Sequence, residues 1–527
     1  MNRFFQIACI VFTTLLQAQV PQSFLTRAEG DTLLPGFQSN VIVEIRIQGD
    51  STVWFGTGKG LSVMRDSISI NTFESSENFQ SGQQGKIIPI GGVSAIGVSG
   101  KDTLLVATAK TVKGETAGGG LALSYNASNP NNQVIWNYFN QPIDSIGDST
   151  ISWGDVSLKA LPVTVIQNNV TYDIAIGKRY YWIATWAGGL RRLNKNDISK
   201  GWKRVPLPED NQTQLLCREP LDNYQLNPRD PPEGNHNHKV FSVMTYGDTV
   251  WVGTANGINR GIIDDSGCVD WVHYSFPLES ISGNWVVSLS AQQWSDQRII
   301  WAVTRAADET GEKNGLSYTN DEGETWQTIP VLNSQYGYNV FSVDSLVYFS
   351  SSSGLWRTED GQNFAHYSPA IDRVRNDQVI DNDVYTSVHD RRPYYNDVLW
   401  IGTGDGMARS SIPSSDDSIW RIFRSNVSSN NVYAYPNPFS PTIHNLLDGD
   451  GYVRFYFKAK KSKLVRLTIL SFAMETVRTI DFNRGSGEGT LKWDGRDDSG
   501  RLVSNGTYFC NVFYDGASHW VKLVVVK

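Results

Sequence analysis

The segment His236-Asn237-His238 places two imidazole side chains two positions apart in the chain. Imidazoles at positions i and i+2 project from the same side of an extended segment, so they can share a metal ion. The same pattern also occurs in solvated loops. We therefore predict no metal and no cofactor, and we keep His236 and His238 as the candidate ligands should a metal be found.

Three segments rich in aspartate have side chains of the kind that bind calcium: Asp264–Gly267, Asp448–Gly451 and Asp497–Gly500. None continues into the spaced acidic ligands and distal glutamate of a calcium-binding hand, so we interpret them as turns. Catalysis would need paired carboxylates or a nucleophile with its base. No spacing marks such a pair, and the chain contains no Gly-x-Ser-x-Gly motif or phosphate-binding loop. The sequence favours a protein that is not an enzyme.

Aromatic residues in or beside the loop segments are the candidate ligand-binding residues, because their rings stack on sugars or grip a peptide. The set is Trp153, Trp186, Tyr224, Tyr394 and Tyr395, with Tyr336 and Tyr338 of the same type. For each of them, packing against a neighbouring strand is the alternative interpretation.

One phrase, an apolar pair followed by small residues and a later Gly-Leu, recurs seven times in the chain. Its clearest form is Val53-Trp54-Phe55-Gly56-Thr57-Gly58-Lys59-Gly60-Leu61. The other copies lie at Leu105–Thr108, Tyr181–Thr185, Val250–Thr254, Ile300–Thr304, Val347–Ser350 and Leu399–Thr403. Each copy follows a run rich in β-branched residues and precedes a short aromatic segment, which predicts four strands per repeat.

Seven repeats of four strands predict an all-β protein with a seven-bladed β-propeller over residues 24–430. The last blade has two candidate outer strands, Phe24–Arg27 and Trp420–Phe423. The repeat resembles the sensor-type propeller repeat of bacterial two-component regulators, whose signature is W-x-G-T-x-x-G-L. Tyr318–Trp326 resembles the Asp-box of sialidase-like propellers, and Thr358–Gly361 begins a degenerate copy. In those families the Asp-box is a turn remote from catalysis.

The longest excursions are all expected on one face of the propeller, because connections between strands B and C and between strands D and A leave the same side of the blades. These excursions are 74–92, 110–119, 140–167, 206–238, 305–314 and 367–382. Long loops on a rigid scaffold commonly bind a partner. We therefore predict that this loop-rich face recognises the partner.

The character of the chain changes at Tyr435-Pro436-Asn437-Pro438-Phe439-Ser440-Pro441. We predict a proline-rich linker at 431–442 and a small Ig-like β-sandwich at 443–527. The opening Pro-Asn-Pro-Phe, Trp493–Gly500, Asn505–Phe509 and the closing Lys522–Lys527 resemble the Ig-like domain shared by flagellar hook-assembly proteins and type IX secretion sorting domains. That resemblance implies contact with the secretion machinery and a surface or secreted fate. A plain adhesion or spacer module is the alternative.

Composition and charge narrow the function further. Residues 1–19 combine one Arg, a short apolar run and a small-residue exit, which predicts a cleaved signal peptide and no transmembrane segment in the mature chain. The formal net charge is −7, which argues against a nucleic-acid partner. The tail from residue 431 carries 13 Lys/Arg and 9 Asp/Glu, against 32 and 44 in residues 20–430.

Removal of residues 1–19 leaves three cysteines, Cys217, Cys268 and Cys510, so at most one disulfide forms. Cys217 and Cys268 are nominally on opposite faces, and Cys510 is expected to be a buried strand residue.

Three functions remain open at this level. The first is a non-enzymatic, exported propeller that binds a surface glycan or protein. The second is a secreted polysaccharide hydrolase or lyase whose carboxylates lie in the long loops. The third is a structural or assembly component of the secretion machinery.

Overall fold

The computed structural model describes residues 36–65, 70–129, 133–219, 223–307, 309–367, 370–372, 377–379, 381–393, 397–410, 420–425, 432–442, 451–457, 464–483 and 490–527. The expected signal peptide, Phe24–Arg27, Tyr394 and Tyr395 lie outside these residues. The described chain is all-β, with short 3-10 turns at Ile198–Lys200, His236–His238 and Pro330–Leu332. Within it, no helix is long and apolar enough to span a membrane.

Seven sheets of the described chain each contain four consecutive antiparallel strands, which we name A to D in chain order. Sheet 1 consists of Ile42–Gln48, Thr52–Thr57, Gly60–Met64 and Ile70–Thr72, and sheet 2 of Gly92–Ser99, Thr103–Val112, Glu115–Ser124 and Trp136–Phe139. Sheet 3 consists of Thr171–Ile176, Tyr180–Thr185, Gly189–Asn194 and Lys203–Val205, and sheet 4 of Val240–Tyr246, Thr249–Thr254, Gly257–Ile263 and Val269–Tyr274. Sheet 5 consists of Trp285–Trp294, Gln297–Arg305, Gly315–Thr319 and Gln327–Thr328, and sheet 6 of Gly337–Val343, Leu346–Ser351, Gly354–Thr358 and Ala365–His366. Sheet 7 consists of Val384–Asp390, Val398–Thr403, Gly406–Ser410 and Trp420–Phe423.

The seven A strands surround a central channel. Strand A of each sheet contacts strand A of the next sheet, and strand A of sheet 7 contacts strand A of sheet 1. Residues from all seven A strands line the same cavity of about 510 Å³. Trp420–Phe423 pairs with Gly406–Ser410 as strand D of sheet 7, so this candidate for the last outer strand is confirmed.

The repeated phrase is strand B, and its composition follows from its position between neighbouring sheets. Strand B of sheet 1 is buried along its whole length, which a continuous apolar run satisfies and an alternating one does not. A Cβ at Gly56 would lie 2.9 Å from Val93 Cγ1 of sheet 2, and one at Gly402 would lie 2.6 Å from the carbonyl oxygen of Ile42 in sheet 1. Glycine therefore recurs because the next sheet approaches the strand at this point.

The threonine of the phrase closes the turn between strands B and C. The hydroxyl of Thr57 donates to the carbonyl oxygen of Gly60 at 2.9 Å, and that of Thr403 donates to Gly406 at the same distance. Gly60 and Gly406 have φ values of 126° and 101°, where residues with a side chain are strained.

Four long insertions cover the outer edges of sheets. Gln84–Gly85 pairs with strand D of sheet 2, and Gln214–Leu215 pairs with strand D of sheet 4. Ile371–Asp372 contacts strand D of sheet 7, and Arg204 of sheet 3 donates to the carbonyl oxygens of Asp148 and Leu161 at 2.6 and 3.0 Å. Each insertion precedes the sheet that it covers. Open strand edges expose unpaired backbone groups, which the paired segments of sheets 2 and 4 satisfy.

The expectation that all long excursions stay on the loop-rich face is therefore wrong for these insertions, whose middles run along the rim. Insertions 140–167 and 206–238 also pair with each other, through Val156–Ala160 and Gln225–Leu226. Thr150–Trp153 completes this small sheet, and the parallel pair Ser75–Ser76 and Ile88–Pro89 lies in insertion 74–92. Ile371–Asp372 pairs with Asp377–Gln378 in insertion 367–382. Excursion 110–119 is largely an extension of strands B and C of sheet 2.

Cys217 and Cys268 form a disulfide, with their Cα atoms 6.0 Å apart. The placement of these cysteines on opposite faces is corrected by the path of the insertion. Gln214–Leu215 runs antiparallel to strand D of sheet 4, from the loop-rich face towards the turn that contains Cys268. Cys510 is buried and free, as expected.

The tail has two sheets around one core. One contains Tyr433–Tyr435, Val453–Tyr456 and Thr490–Trp493, and the other Thr476–Asn483, Leu464–Leu470, Gly506–Tyr514 and Ala517–Val525. Phe455 and Trp493 of the first sheet share this core with Leu467 and Cys510 of the second. Phe439, within the predicted linker, is fully buried in the same core. The described part of 431–442 thus packs as part of the tail.

Candidate functional site

The first residues of several A strands form the mouth of the channel on the loop-rich face, since a D–A connection leads into each of them. Tyr172, Phe241, Trp285, Tyr338 and Tyr385 occupy these positions in sheets 3 to 7. Phe241 is buried, and the other four are partly exposed. Five of the seven sheets thus present an aromatic ring at the same end of the channel.

Four rings form the first cluster, which we call the Trp186 cluster: Tyr172, Trp186, Phe241 and Trp285. The ring centroid of Phe241 lies 5.0 Å from that of Trp186 and 6.0 Å from those of Tyr172 and Trp285. Lys239 holds its ammonium group 4.8 Å from the Trp186 ring while pairing with Asp230. Partly exposed rings at these distances provide stacking surfaces.

The second cluster consists of Tyr336, Tyr338 and Tyr385, and we call it the Tyr338 cluster. The Tyr338 ring lies 5.6 Å from Tyr336 and 5.1 Å from Tyr385, in edge-to-face orientations. The buried guanidinium of Arg305 stacks 4.0 Å from the Tyr336 ring and donates to the carbonyl oxygen of Gly337. Arg305 therefore holds Tyr336 and the neighbouring backbone of the cluster in place.

Acidic groups border the Tyr338 cluster. The hydroxyl of Tyr338 donates to Asp383 Oδ1 at 3.1 Å, and the backbone N–H of Asp383 donates to Asp381 Oδ1 at 3.0 Å. Burial, and then the charge of Asp383, raise the pKa of Asp381 to about 7. Burial also raises the pKa of Tyr338 well above its ordinary value, so its hydroxyl stays protonated. This side of the mouth presents hydroxyl and carboxyl groups beside aromatic faces.

Deeper in the channel, Arg46 lies between two carboxylates. Its Nη2 atom lies 2.7 Å from Glu44 Oε1 and 3.9 Å from Asp173 Oδ1, and its Nε donates to the carbonyl oxygen of Ile96 at 3.3 Å. Burial raises the pKa of Glu44 to about 7, against the opposing charge of Arg46. Asp173 also accepts the backbone N–H of Val243 at 2.9 Å, and burial raises its pKa. Both carboxylates are thus held in place by donors.

The predicted aromatic residues have three different placements. Trp186 lies at the channel mouth, in contact with Phe241 and Trp285. Trp153 and Tyr224 are 2% exposed and belong to the hydrophobic core under the two paired insertions. The hydroxyl of Tyr224 donates to the carbonyl oxygen of Leu207 at 2.8 Å. In this conformation both rings pack inside the protein, which was the alternative interpretation of these aromatic residues.

His236 and His238 have separate partners. His236 Nε2 lies 3.3 Å from Asp230 Oδ1. His238 is fully buried, its Nδ1 accepts the backbone N–H of Asn227 at 2.9 Å, and its Nε2 lies 3.1 Å from the carbonyl oxygen of Leu207. No group of three or more His, Cys, Asp or Glu in the described residues could hold a metal. Because both ring nitrogens of His238 contact backbone atoms of insertion 206–238, this side chain holds the insertion in its path.

We expect His238 to make stability depend on pH. Burial lowers the pKa of His238 from 6.5 to about 4. Between these values the unfolded state binds more protons, so this contribution, about 3 kcal/mol, is present above pH 6.5 and is lost as the pH falls towards 4. Urea unfolding at several pH values should show a smaller acid loss in His238→Gln than in the wild type.

The matched control for this prediction is His236→Gln, which should keep the acid loss. Glu44 contributes with the opposite sign, because its raised pKa removes stability as the pH rises from 4.5 to 7. The quantity to measure is therefore the difference between the wild type and His238→Gln in the loss of stability in acid. Parallel pH profiles of His238→Gln and the wild type would contradict the assignment.

Most residues of the channel were not predicted from the sequence. Tyr172, Phe241, Trp285 and Tyr385 were not among the predicted ligand-binding residues, although each is the first or second residue of a strand A. The available signal was an aromatic residue recurring at the start of that strand. Glu44 and Arg46 interrupt an otherwise apolar run, and charges within such a run could have indicated a polar channel.

The tail matches a known family model. Residues 440–518 match the model of the FlgD Ig-like domain. The match lies within the tail and does not include the seven sheets. No curated protein matches the sequence.

The solved structures that are similar to the chain at low identity include the following three. The extracellular domain of the hybrid two-component system BT4673 from B. thetaiotaomicron is 12% identical, with 93% of this chain and 57% of that chain covered and a TM-score of 0.43. PorZ of Porphyromonas gingivalis, an essential bacterial surface component of the type-IX secretion system, is 15% identical, with 93% and 66% covered and a TM-score of 0.31. An ancestral GH74 enzyme is 12% identical, with 93% and 63% covered and a TM-score of 0.47.

The chain spans between 57% and 66% of the length of these three proteins. TM-scores below 0.5 mean that the superposed geometries differ substantially. These similarities therefore identify neither a function nor a partner for this chain.

Proposed function

We propose that this protein is an exported, non-enzymatic, seven-bladed β-propeller that binds a surface glycan or protein at the mouth of its channel. The seven sheets are the blades, and the tail is an Ig-like sandwich that delivers the propeller to the cell surface or the medium by a type IX-like route. The mature chain starts after the signal peptide at residues 1–19.

The observation that carries the proposal is the aromatic mouth. The Trp186 and Tyr338 clusters place partly exposed rings at one end of the channel. Exposed aromatic groups beside hydrogen-bonding groups are typical of surfaces that bind sugars or peptide side chains. Tyr338 with Asp383, and Glu44 with Asp173 below, supply the polar groups that orient such a ligand.

Binding accounts for the channel better than catalysis does. Two carboxylates do lie near each other, because Glu44 and Asp173 both contact Arg46 Nη2. Each is engaged by that guanidinium, however, and Asp173 accepts two backbone N–H groups as well. A nucleophile or general base must be directed at the substrate, whereas these contacts turn the two carboxylates towards Arg46 and the backbone. A hydrolase or lyase is the alternative that the experiment below distinguishes.

We expect Trp186→Ala to weaken retention of a surface glycan at least tenfold, which corresponds to about 1.4 kcal/mol. The mature protein is incubated with a panel of surface glycans, and bound and released material are quantified. Trp294→Ala is the matched control, because Trp294 is an exposed tryptophan at the other end of a strand A, away from the mouth. It should bind like the wild type.

Release of shortened saccharides would contradict the non-enzymatic proposal and favour the hydrolase or lyase. Equal losses in Trp186→Ala and Trp294→Ala would contradict the placement of the site at the mouth. Deletion of the gene tests the third function, because loss of export of many other proteins would favour an assembly component, whereas normal export excludes it.

A further inference from the structure

The ring of sheets closes between sheet 7 and sheet 1, and within the described residues no sheet combines strands from both ends of the chain. Closure at this seam therefore depends on side-chain packing and on a few polar contacts. Phe55 of sheet 1 lies 5.7 Å from Trp400 of sheet 7, measured between ring centroids. A seam of this kind lacks the backbone hydrogen bonds that a shared sheet would supply.

Asp405 lies on the loop-rich face of this seam, in the turn between strands B and C of sheet 7. It is fully buried and accepts hydrogen bonds from two guanidinium groups. Arg424, directly after the last strand of sheet 7, donates to both carboxylate oxygens at 3.1 and 2.9 Å. Arg454, from a strand of the tail, donates to the same two oxygens at 3.0 and 2.8 Å.

The first residues of sheet 1 join this cluster. The backbone N–H of Gly406 donates to the carbonyl oxygen of Asn40 at 2.6 Å. The backbone N–H and the hydroxyl of Ser425 donate to Asn40 Oδ1 at 2.7 and 2.9 Å. Residues that enter sheet 1 and residues that leave sheet 7 therefore meet around the turn that contains Asp405.

The tail makes a second contact at the same turn. Tyr435 is paired with Arg454 across two tail strands, and its hydroxyl lies 3.4 Å from the carbonyl oxygen of Gly404. Arg454 is nearly buried, with 8% of its side chain exposed, and the Asp405 carboxylate lies against its charge. The tail is therefore held to sheet 7 by desolvated, bidentate contacts and not by a surface ion pair.

We propose that the docked tail stabilises the closed ring of sheets: its Arg454 holds Asp405 and Arg424 in place, and this junction keeps sheets 1 and 7 together. The binding partner of the Asp405 turn is thus this chain's own tail, docked on the loop-rich face beside the channel mouth. The proposal concerns ring closure and stands independently of the ligand.

The test is amide hydrogen exchange of the full mature chain carrying Arg454→Met. We expect exchange in Tyr433–Tyr435 and in the seam strands Ile42–Gln48 and Val398–Thr403 to be at least tenfold faster than in the wild type. Exchange in Val240–Tyr246, on sheet 4, should be unchanged. Arg454→Lys keeps the charge but not the bidentate geometry, and a smaller increase confined to the same strands is expected.

The matched control is Arg466→Met, which removes an exposed bidentate arginine from the same domain, where it pairs with Asp481. It should leave the seam unchanged. Unaltered exchange in Arg454→Met would overturn the proposal. Faster exchange in Tyr433–Tyr435 with a protected seam would show docking without closure and would also overturn it. A uniform increase over all seven sheets in both Arg454 variants would do the same.

Discussion

Replacing Asp390 by asparagine is expected to lower the free energy of unfolding by about 3–5 kcal/mol, the cost of leaving a buried charge without its partner. Asp390 is fully buried at the end of strand A of sheet 7, and the Arg392 side chain is 1% exposed. Arg392 donates to both carboxylate oxygens at 3.0–3.1 Å. Guanidinium denaturation, monitored by tryptophan fluorescence, measures the change.

The structural reason for this pair lies in a pattern shared with other sheets. In sheets 1 and 5 the corresponding positions are Gln48 and Gln292, whose Oε1 atoms accept the strand B tryptophan N–H at 2.8 Å. Their Nε2 atoms donate to a backbone carbonyl oxygen of the following sheet, at 2.8 and 2.5 Å. One glutamine thus connects two sheets.

In sheet 7 the pair Asp390–Arg392 makes the two connections that the glutamine makes in sheets 1 and 5. Asp390 Oδ2 accepts the indole N–H of Trp400 at 2.8 Å. A carboxylate cannot donate, and Arg392 instead donates to the carbonyl oxygen of Ser51 in sheet 1 at 3.0 Å. Loss of the carboxylate therefore weakens the seam on the face opposite Asp405.

Two further variants separate the charge from the hydrogen bond. Asp397→Asn removes one of the two carboxylates that pair with the exposed Arg391 and should change stability by less than about 1 kcal/mol. The double variant Asp390→Gln with Arg392→Met restores an indole acceptor and removes the buried charge, so it should recover most of the loss. If Asp390→Asn matched the wild type, or if the double variant were as unstable as the single one, the interpretation would be wrong.

Much of the fold could be predicted because its determinants repeat locally. Trp54, Gly56 and Thr57 each meet a need that recurs in other copies: burial between sheets, close approach of the next strand and closure of the B–C turn. Trp420–Phe423 was one of two candidates for the last outer strand, and it is the one that pairs. These features depend on residues within one repeat and its neighbour, which a sequence pattern records.

The channel mouth could be predicted only in part, because its members come from different sheets. Trp186 was identified from its loop position, whereas Phe241 and Trp285 lie in or beside strands and meet Trp186 only once the ring has formed. Trp153 and Tyr224 have the same loop character but pack under the paired insertions. A single sequence does not distinguish an aromatic residue that covers a rim from one that faces a channel.

The path of the insertions depends on long-range contacts that no local pattern contains. Leu215 packs beside strand D of sheet 4 because Trp271 lies opposite it. A Cβ at Gly154, in the neighbouring hairpin, would lie 3.0 Å from Cys217 Sγ, so this hairpin packs on the disulfide. Burial of apolar side chains of both insertions brings them to the rim, and this places Cys217 within reach of Cys268.

Removing the disulfide is the second change with a large expected effect. The bond closes a loop with a sequence separation of 51 residues, so it restricts the unfolded insertion strongly. We expect the double variant Cys217→Ser with Cys268→Ser to be less stable by about 2–4 kcal/mol. Because the bond secures the rim, insertion 206–238 should be cleaved by protease before the seven sheets unfold, which mass spectrometry of the early fragments would detect.

The oxidation state provides the control for this prediction. Of the three cysteines expected after removal of residues 1–19, only Cys510 should react with a thiol reagent in unreduced, denatured protein. A reductant should destabilise the wild type and leave the double variant unchanged, because Cys510 is unpaired in both. Three reactive thiols, or a wild type insensitive to reductant, would contradict the bond. Early cleavage outside 206–238 would instead show that the buried apolar side chains hold the insertion against the rim without the covalent link.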